Sequence, residues 1–233
     1  MNNSIAIITA RGGSKRIPRK NIKDFLGRPI IAYSIEAAIN AGCFNEIMVS
    51  TDDDEIAKIA ESLGAKVPFL RSPENSDDYS TTADVIKEVI IEYRNRGMNF
   101  DSLCCIYPTA PFVNATKLKN GMQMLSENKV DCVLPVVRYS YPIQRSLKIE
   151  EGKIVMNWPE NYFARSQDLT PVYHDCGQFY CMNTQSLLSQ MKLFADNTLP
   201  IITSEEEVQD IDNEEDWRLA EIKYSMLQKI NPA

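Results

Sequence analysis

The sequence predicts an α/β protein in three layers, with helices on both faces of a mostly parallel sheet. In the first 137 residues, short apolar runs alternate with amphipathic helical patterns, which is typical of consecutive βα units. The apolar runs show little polar alternation, as expected of strands that are buried on both faces. With 233 residues and 44% hydrophobic residues, the chain is long enough to form one large domain.

The predicted strands of this repeat are rich in Ile, Val, Leu or Cys, and they cover 4–9, 46–51, 66–70, 102–107 and 131–137. Helical patterns fill the intervals at 29–41, 53–63, 81–96 and 114–127. Pro29 suits the first turn of its helix, and glycines follow three of the helices, at Gly42, Gly64 and Gly97.

The pattern changes after residue 137. Residues 138–182 are rich in aromatics and proline and contain a predicted hairpin, with strands at 146–149 and 154–158. We interpret this stretch as a lobe inserted at the mouth of the sheet, within a single domain of 1–233. The remaining predicted elements are a helix at 184–191, a strand at 198–202 and an amphipathic helix from about 213 to 229.

Composition excludes several classes of function. A net charge of −7 argues against general nucleic-acid binding. No apolar run approaches the roughly 18 residues of a membrane span, and no signal-peptide pattern opens the sequence. The six cysteines form no Cys-x-x-Cys motif, so we expect reduced, mostly buried thiols in a cytoplasmic protein, with thiol catalysis as a minor alternative.

A loop rich in glycine and cations follows the first predicted strand. Residues 11–20 contain five Lys or Arg residues. Gly12 and Gly13 allow a tight turn that brings backbone N–H groups close to an anion, and Ser14 adds a hydroxyl donor. The loop therefore predicts phosphate binding. It has neither the P-loop spacing nor the dinucleotide fingerprint, which argues against a nicotinamide-dependent redox enzyme.

A second charged segment lies near the other end of the chain, where residues 205–216 carry eight Asp or Glu and no Lys or Arg. Asp210 and Asp212 are two residues apart, so in an extended segment both carboxylates face the same side and suit Mg²⁺. The alternatives are a solvated acidic run and, for Asp212, a helix cap with Glu215 three residues later. If the two aspartates bind Mg²⁺, the cation loop and the aspartates must meet around one triphosphate.

Ligands of open α/β sheets bind beyond the carboxyl ends of the strands. In this sequence that rule selects four loops, at 10–24, 51–54, 71–82 and 108–113. We expect these loops to converge on one nucleotide site.

Residues 10–21 resemble the signature of the CMP-nonulosonate synthetases, the acylneuraminate cytidylyltransferase family. Further similarities follow in chain order at 49–53, 71–74, 108–111 and 209–212. The resemblance spans essentially the whole chain and implies a Rossmann-like fold of the nucleotide-diphospho-sugar transferase type. It also implies Mg²⁺-dependent transfer of CMP from CTP to a nonulosonic acid, with release of pyrophosphate.

The resemblance implies roles for individual residues. The CTP contacts would be Arg11, Gly12, Gly13, Ser14, Lys20, Asn21 and Arg71. Arg11, Lys20 and Asp212 would be catalytic, and Asp210 and Asp212 would hold the metal. Arg71 has an alternative role, in a surface ion pair with Glu74 or Asp77.

The acceptor side departs from the sialic acid synthetases, because Tyr107 and Phe112-Val113 flank the Pro-Thr-Ala-Pro turn. Residues 15–21, 107–112, 142–145 and 174–180 are most similar to family members that act on pseudaminic acid, whose fewer hydroxyls suit a more apolar pocket. Sialic and legionaminic acids are the alternative acceptors, and a non-catalytic nucleotide-binding regulator is the distant alternative function.

The predicted sugar contacts are Tyr107, Arg165, His174 and Gln178. Arg165 is the candidate for the substrate carboxylate, with Arg145 as the alternative. His174, the only histidine, has a structural role as its alternative. The family also implies a homodimer through the lobe, whose aromatics Tyr139, Tyr141, Trp158, Tyr162 and Phe163 suit such a contact.

Overall fold

The computed structural model describes residues 3–230, so the single domain predicted for 1–233 extends beyond the described residues at both ends. The strands are β1 (Ser4–Thr9), β2 (Asp24–Phe25), β3 (Arg28–Pro29), β4 (Glu46–Ser50), β5 (Ser102–Ile106), β6 (Cys132–Arg138), β7 (Leu147–Glu150), β8 (Lys153–Met156), β9 (Tyr173–Asp175), β10 (Phe179–Asn183) and β11 (Thr198–Thr203). The α-helices are α1 (Ile31–Ala41), α2 (Asp54–Ser62), α3 (Thr82–Asn95), α4 (Ala115–Asn128), α5 (Thr184–Gln190) and α6 (Glu214–Ile230).

The main sheet has seven strands, six of them in the order β11-β6-β10-β5-β1-β4, with β9 paired to β6. Strands β4, β1, β5, β6 and β11 run in one direction, and β9 and β10 run against them. The sheet is therefore mostly parallel, as predicted. Its parallel strands end at a common edge, where the loops selected from the sequence follow them.

Helices cover both faces of the sheet, and this confirms the three layers. Apolar side chains of α1, α2 and α4 pack in one cluster on one face, whereas those of α3 and α5 pack in a second cluster on the other. Local sequence fixes where these helices begin. Asp53 and Asn114 accept backbone N–H groups at the starts of α2 and α4, and Thr81 and Asp84 form a capping box at α3.

The strand predicted at 66–70 is wrong. Only Lys66 pairs, through a single parallel bridge to Met48 at the sheet edge. Two residues later Pro68 has no N–H to donate, so the ladder cannot continue. The chain instead crosses the sheet edge and reaches Arg71, whose N–H bonds to the carbonyl of Thr51 at 2.7 Å.

The lobe is smaller than the predicted 138–182. Residues 173–175 pair antiparallel with β6, and 179–183 lie between β5 and β6, so both segments belong to the main sheet. Outside the sheet remain residues 139–172, which contain the predicted hairpin as β7 and β8 with its turn at Glu151-Gly152.

All six cysteines are free, and all but the half-buried Cys43 are buried, as predicted. Among residues 3–230, none of the helices is both long and apolar enough to cross a bilayer.

Candidate active site

A cleft of about 520 Å³ opens at the carboxyl edge of the sheet. Three of the four loops selected from the sequence line it: the cation loop after β1, residues 71–82, and the turn that begins at Tyr107. The fourth loop, at 51–54, contacts the cation loop, because the Gly12 N–H donates to Asp52 Oδ1 at 2.8 Å. We call this space the first cleft.

Close packing shapes the cation loop. A Cβ at Gly12 would lie 2.8 Å from Asp53 Oδ2, so this position needs glycine. Asn21 is 5% exposed, and its Nδ2 donates to the Arg11 carbonyl at 2.8 Å. Asn21 therefore braces the loop as well as lining the cleft. At Gly13 there is open space, as expected where a backbone must admit a ligand.

Arg71 is a buried guanidinium in the wall of the first cleft. Its Nε and Nη2 donate to the Ser50 hydroxyl at 3.0 Å and the Ser50 carbonyl at 2.6 Å. The proposed surface pair with Glu74 or Asp77 is thus wrong. Burial lowers the pKa of Arg71, and the negative charge of Asp52 opposes this shift.

Four other cations of the loop contact carboxylates, and they are Arg11, Lys15, Arg16 and Arg19. Arg11 pairs with Asp78 at 2.9 Å, and Lys15 pairs with the same carboxylate. Unlike Arg11 and Lys15, Arg19 does not line the first cleft, and it bonds to Asp53 at the start of α2. That hydrogen bond is the main cause that lowers the pKa of Asp53 to about 2.

The predicted meeting of the two charged segments is confirmed. Lys20 Nζ donates to the Ile211 carbonyl at 2.7 Å, and Arg16 Nη2 lies 2.7 Å from Asp212 Oδ1. Burial lowers the pKa of Lys20, while the charges of Asp212 and Asp210 oppose this shift. A cation that is poorly solvated and close to carboxylates is suited to a phosphate oxygen.

Asp212 is not the cap of the last helix. Asn213 Oδ1 accepts the N–H groups of Glu215 and Asp216 at 2.8 and 3.0 Å, and Asp216 returns the bond to the Asn213 N–H at 3.0 Å. The capping box thus begins one residue later than the alternative reading required. The Asp212 carboxylate instead pairs with Arg16 at 2.7 Å.

Within residues 3–230 no group of three or more His, Cys, Asp and Glu is arranged to hold a metal. Asp210 and Asp212 offer carboxylate oxygens of the kind that Mg²⁺ binds, with Asp210 in the lining of a cleft and Asp212 paired with Arg16. This ion usually takes one or two carboxylates and completes its shell with water and substrate phosphates. The cations of the first cleft lie beside this pair and suit those phosphates.

A second cleft, of about 500 Å³, is lined in part by the acidic segment. Its lining residues are Val137, 174–177, Glu205, 208–210 and Lys223. His174 is exposed, with Nδ1 2.9 Å from the Asp175 carbonyl and its ring 4.7 Å from that of Tyr139. Asp210 lines this cleft, whereas Lys20 and Arg16 line the first.

The predicted sugar contacts are spread over three places. Tyr107 lines the first cleft and His174 the second, while Gln178 is 2% exposed and lines neither. Arg165 lies on the lobe, where its Nε bonds to Asp168 at 2.8 Å, and it also lines neither cleft. The structure thus brings Tyr107 and His174 to the clefts and leaves Arg165 and Gln178 outside them.

Asp175 was missed as a candidate site residue, and it contacts Tyr180. Tyr180 donates to Asp175 Oδ2 at 2.5 Å, and its ring lies 5.6 Å from that of Tyr107. This contact joins the walls of the two clefts. Asp175 directly follows His174 within residues 174–180, and this position was the sequence signal that could have identified it. Phe112 and Val113, expected to make the pocket apolar, are instead buried in hydrophobic clusters.

Comparison with known proteins places these features in context. The family described as Cytidylyltransferase matches residues 5–216. A pseudaminic acid cytidylyltransferase of Campylobacter jejuni is 40% identical over 96% of this chain and 97% of its own length. A CMP-N,N'-diacetyllegionaminic acid synthase of Legionella pneumophila is 32% identical, over 93% of this chain and 94% of its own.

Among solved structures, a CMP:2-keto-3-deoxy-manno-octonic acid synthetase complexed with CTP superposes with a TM-score of 0.68. It is 17% identical and covers 97% of this chain and 99% of its own. At that identity the similarity concerns the fold, and it agrees with the predicted Rossmann-like architecture.

Proposed function

The chain belongs to the cytidylyltransferase family, and we propose that it transfers CMP from CTP to the anomeric hydroxyl of a nonulosonic acid, with pseudaminic acid as the preferred acceptor. One observation carries the proposal. The cation loop of the first cleft and the segment with Asp210 and Asp212 are in direct contact, and residues 208–210 of that segment also line the second cleft. A triphosphate and an acceptor thus have adjacent places.

The reaction moves the α-phosphoryl group of CTP. The anomeric hydroxyl of the sugar gives its proton to a base, for which one of the two aspartates is the candidate, and its oxygen bonds to the α-phosphorus. The bond from the α-phosphorus to the bridging oxygen breaks in line, and pyrophosphate leaves. Negative charge on the phosphate oxygens must be met by groups that are already oriented. We assign Arg11 and Arg71 to the triphosphate and Lys20 to the α-phosphate. The backbone and hydroxyl of residues 12–14, with Asn21 as a brace, complete the nucleotide side.

Asp210 and Asp212 would hold Mg²⁺, and the bound ion would supply charge stabilisation and orientation to the phosphates. Asp212 has a second part in the proposal. Its ion pair with Arg16 holds the acidic segment against the cation loop at 2.7 Å. Removing Asp212 would therefore weaken both metal binding and the contact between the two segments.

The preference for pseudaminic acid is supported by the relative at 40% identity and by the resemblance of residues 174–180. We assign His174 and Tyr107 to the acceptor, since they line the second and first cleft. Arg165 remains the candidate for the acceptor carboxylate. Its position on the lobe requires that the lobe of a second subunit approach the site.

The test is pyrophosphate release from CTP and Mg²⁺ with pseudaminic, N,N'-diacetyllegionaminic and N-acetylneuraminic acids in parallel. We expect the highest kcat/KM with pseudaminic acid. A higher value with either of the other acids would change the acceptor but keep the chemistry. Absence of release with all three would refute the proposed function, and CTP binding without turnover would then favour the nucleotide-binding regulator.

We also propose that the protein is a homodimer through the lobe. The lobe exposes apolar side chains that a monomer leaves in water, with Phe163 91%, Tyr141 85%, Ile149 78% and Ile154 71% exposed. A two-stranded hairpin is marginally stable by itself, and a contiguous apolar patch marks an interaction surface. The six free thiols support a cytoplasmic location.

Sedimentation at micromolar concentration should give a dimer. Ile149→Glu combined with Ile154→Glu should give a monomer, because each charge would have to be buried at the interface. Ile222→Glu is the matched control, since Ile222 is 58% exposed on α6, outside the lobe. A parent protein that sediments only as a monomer would remove the dimer from the proposal.

A further inference from the structure

The segment that carries both aspartates has little structure of its own. Between β11 and α6 its only regular element is one 3₁₀ turn at Glu205–Glu207. Side chains from elsewhere bond to its backbone carbonyls. The donors are Lys223 Nζ to Glu205 and Val208 at 3.3 and 2.8 Å, Gln178 Nε2 to Glu207 at 2.7 Å, and Lys20 Nζ to Ile211 at 2.7 Å. The segment thus depends on these side chains for its position.

Gln178 connects this segment to the first cleft. Its Nε2 donates to the Glu207 carbonyl, and its own backbone carbonyl accepts the N–H of Tyr107 at 2.9 Å. Tyr107 lines the first cleft. One buried residue thus bonds to a cleft wall on one side and to the aspartate segment on the other. Since Gln178 lines neither cleft, its amide has no direct path to a ligand in them.

Lys117, on α4, also contacts Glu207. Its Nζ lies 3.1 Å from Glu207 Oε1, and its side chain is only 13% exposed. Gln178 therefore binds the backbone of Glu207 and Lys117 its side chain. Glu207 lies three residues before Asp210, so these two contacts hold the chain on the side that leads into the aspartates. Buried Ile211 and its bond to Lys20 hold the other side.

We propose that Gln178 and Lys117 are positioning residues for the cytidylyl transfer: they act through Glu207 to hold Asp210 and Asp212 at the phosphates. This inference rests on the proposed function. Without the Gln178 hydrogen bond and the Lys117 ion pair, Glu207 can turn toward water, which would then donate to its carbonyl, since the residue is already partly exposed. The loss of these contacts therefore changes the geometry of the site more than it lowers the stability of the folded protein. Partners that orient metal-binding carboxylates typically contribute ten- to a hundredfold to activity or metal affinity.

The first variant is Gln178→Met, which keeps the size of the side chain and removes the donor. We expect kcat to fall about tenfold or more and the Mg²⁺ concentration for half-maximal rate to rise, with the KM for CTP within about threefold. Amide hydrogen exchange of the peptide 204–213 should be faster in the ligand-free protein. Thr184→Val is the matched control, because Thr184 is also 2% exposed and lies just beyond the other end of β10.

Lys117→Met and Lys117→Arg give a second, independent test. The methionine variant should reproduce the fall in kcat and the faster exchange, and arginine should restore most of both because it retains the cation. The proposal is overturned if Gln178→Met and Lys117→Met keep the parent kcat and exchange rates. It is also overturned if Thr184→Val lowers kcat as much at equal thermal stability. A parent that releases no pyrophosphate would refute the proposed function, whereas the hydrogen exchange still tests the positioning.

Discussion

The two clefts are built in different ways. The first lies at the ends of parallel strands, and strand-end groups hold its side chains: Arg71 bonds to Ser50, and Gly12 bonds to Asp52. The second lies between antiparallel β9 and a segment with almost no regular structure, and its His174 is exposed. The first cleft is therefore ordered by the sheet itself, whereas the second cleft depends on a few side-chain contacts.

The largest expected effect is on the nucleotide side, from Lys20→Met. Lys20 is a half-buried cation whose Nζ bonds to the acidic segment, so its loss removes a fixed charge from the position assigned to the α-phosphate. Removing one preorganised donor of this kind typically costs about 10²–10³ in kcat. Steady-state kinetics with CTP and the preferred acid would measure it.

Lys23→Met is the control for that variant. Lys23 lies three residues away, pairs with Glu214 at 2.6 Å and sits over the Trp217 ring at 4.6 Å, and it does not line the first cleft. Its loss should lower thermal stability and leave kcat within about threefold, as expected of an ion pair outside the site. Equal losses in the two variants would mean that Lys20 has no special role.

Asp212→Asn should have the next largest effect, because it removes one proposed metal ligand and the partner of Arg16. We expect kcat to fall about ten- to a hundredfold and the requirement for Mg²⁺ to rise. The neighbouring change Asn213→Ala removes the helix cap instead, which should cost about 1 kcal/mol of stability. Comparing the two variants separates the loss of metal binding from the loss of the helix cap. If Asn213→Ala impaired kcat as strongly as Asp212→Asn, the assignment of Asp212 to the metal would fail.

The pH dependence of kcat/KM should also report on Lys20. Burial lowers the pKa of this lysine below its ordinary value of 10.5, and only the protonated form offers a positive charge. Activity should therefore decrease as pH rises through the lowered pKa, by about tenfold per pH unit beyond it. Lys20→Arg should shift this alkaline limb to higher pH, because arginine stays protonated. An alkaline limb that does not move would exclude Lys20 as its cause.

The sequence predicted the loops that line the first cleft well for physical reasons. Strands buried on both faces have continuous apolar runs, and a glycine-rich cation loop after such a strand has few structural alternatives. The strand at 66–70 failed because Pro68 removes a donor that an apolar pattern does not reveal. The pairing of residues 173–183 with the main sheet was missed because antiparallel insertion between β5 and β6 depends on contacts that are distant in sequence.

For the same reason, some candidate residues were easier to recognise in the sequence than others. Arg11, Lys20 and Asp212 lie in motifs whose chemistry is visible in a few consecutive residues. The part played by Asp78, Lys117 and Gln178 depends on partners between 29 and 90 residues away. No local pattern distinguishes a glutamine that binds a ligand from one that holds a neighbouring backbone.

The smallest expected effect concerns Asp78, which contacts the cations that would hold the triphosphate. It lies 2.9 Å from Arg11 and also pairs with Lys15, and these side chains are 36–77% exposed. CTP must displace this carboxylate, so Asp78→Asn should lower the KM for CTP by no more than about fivefold, the range of an exposed ion pair. Glu74→Gln, in the same loop, is the control. The gain should shrink as salt rises from low ionic strength to about 0.5 M, because exposed charges are screened. A KM that rises in Asp78→Asn would instead show that this carboxylate assists nucleotide binding.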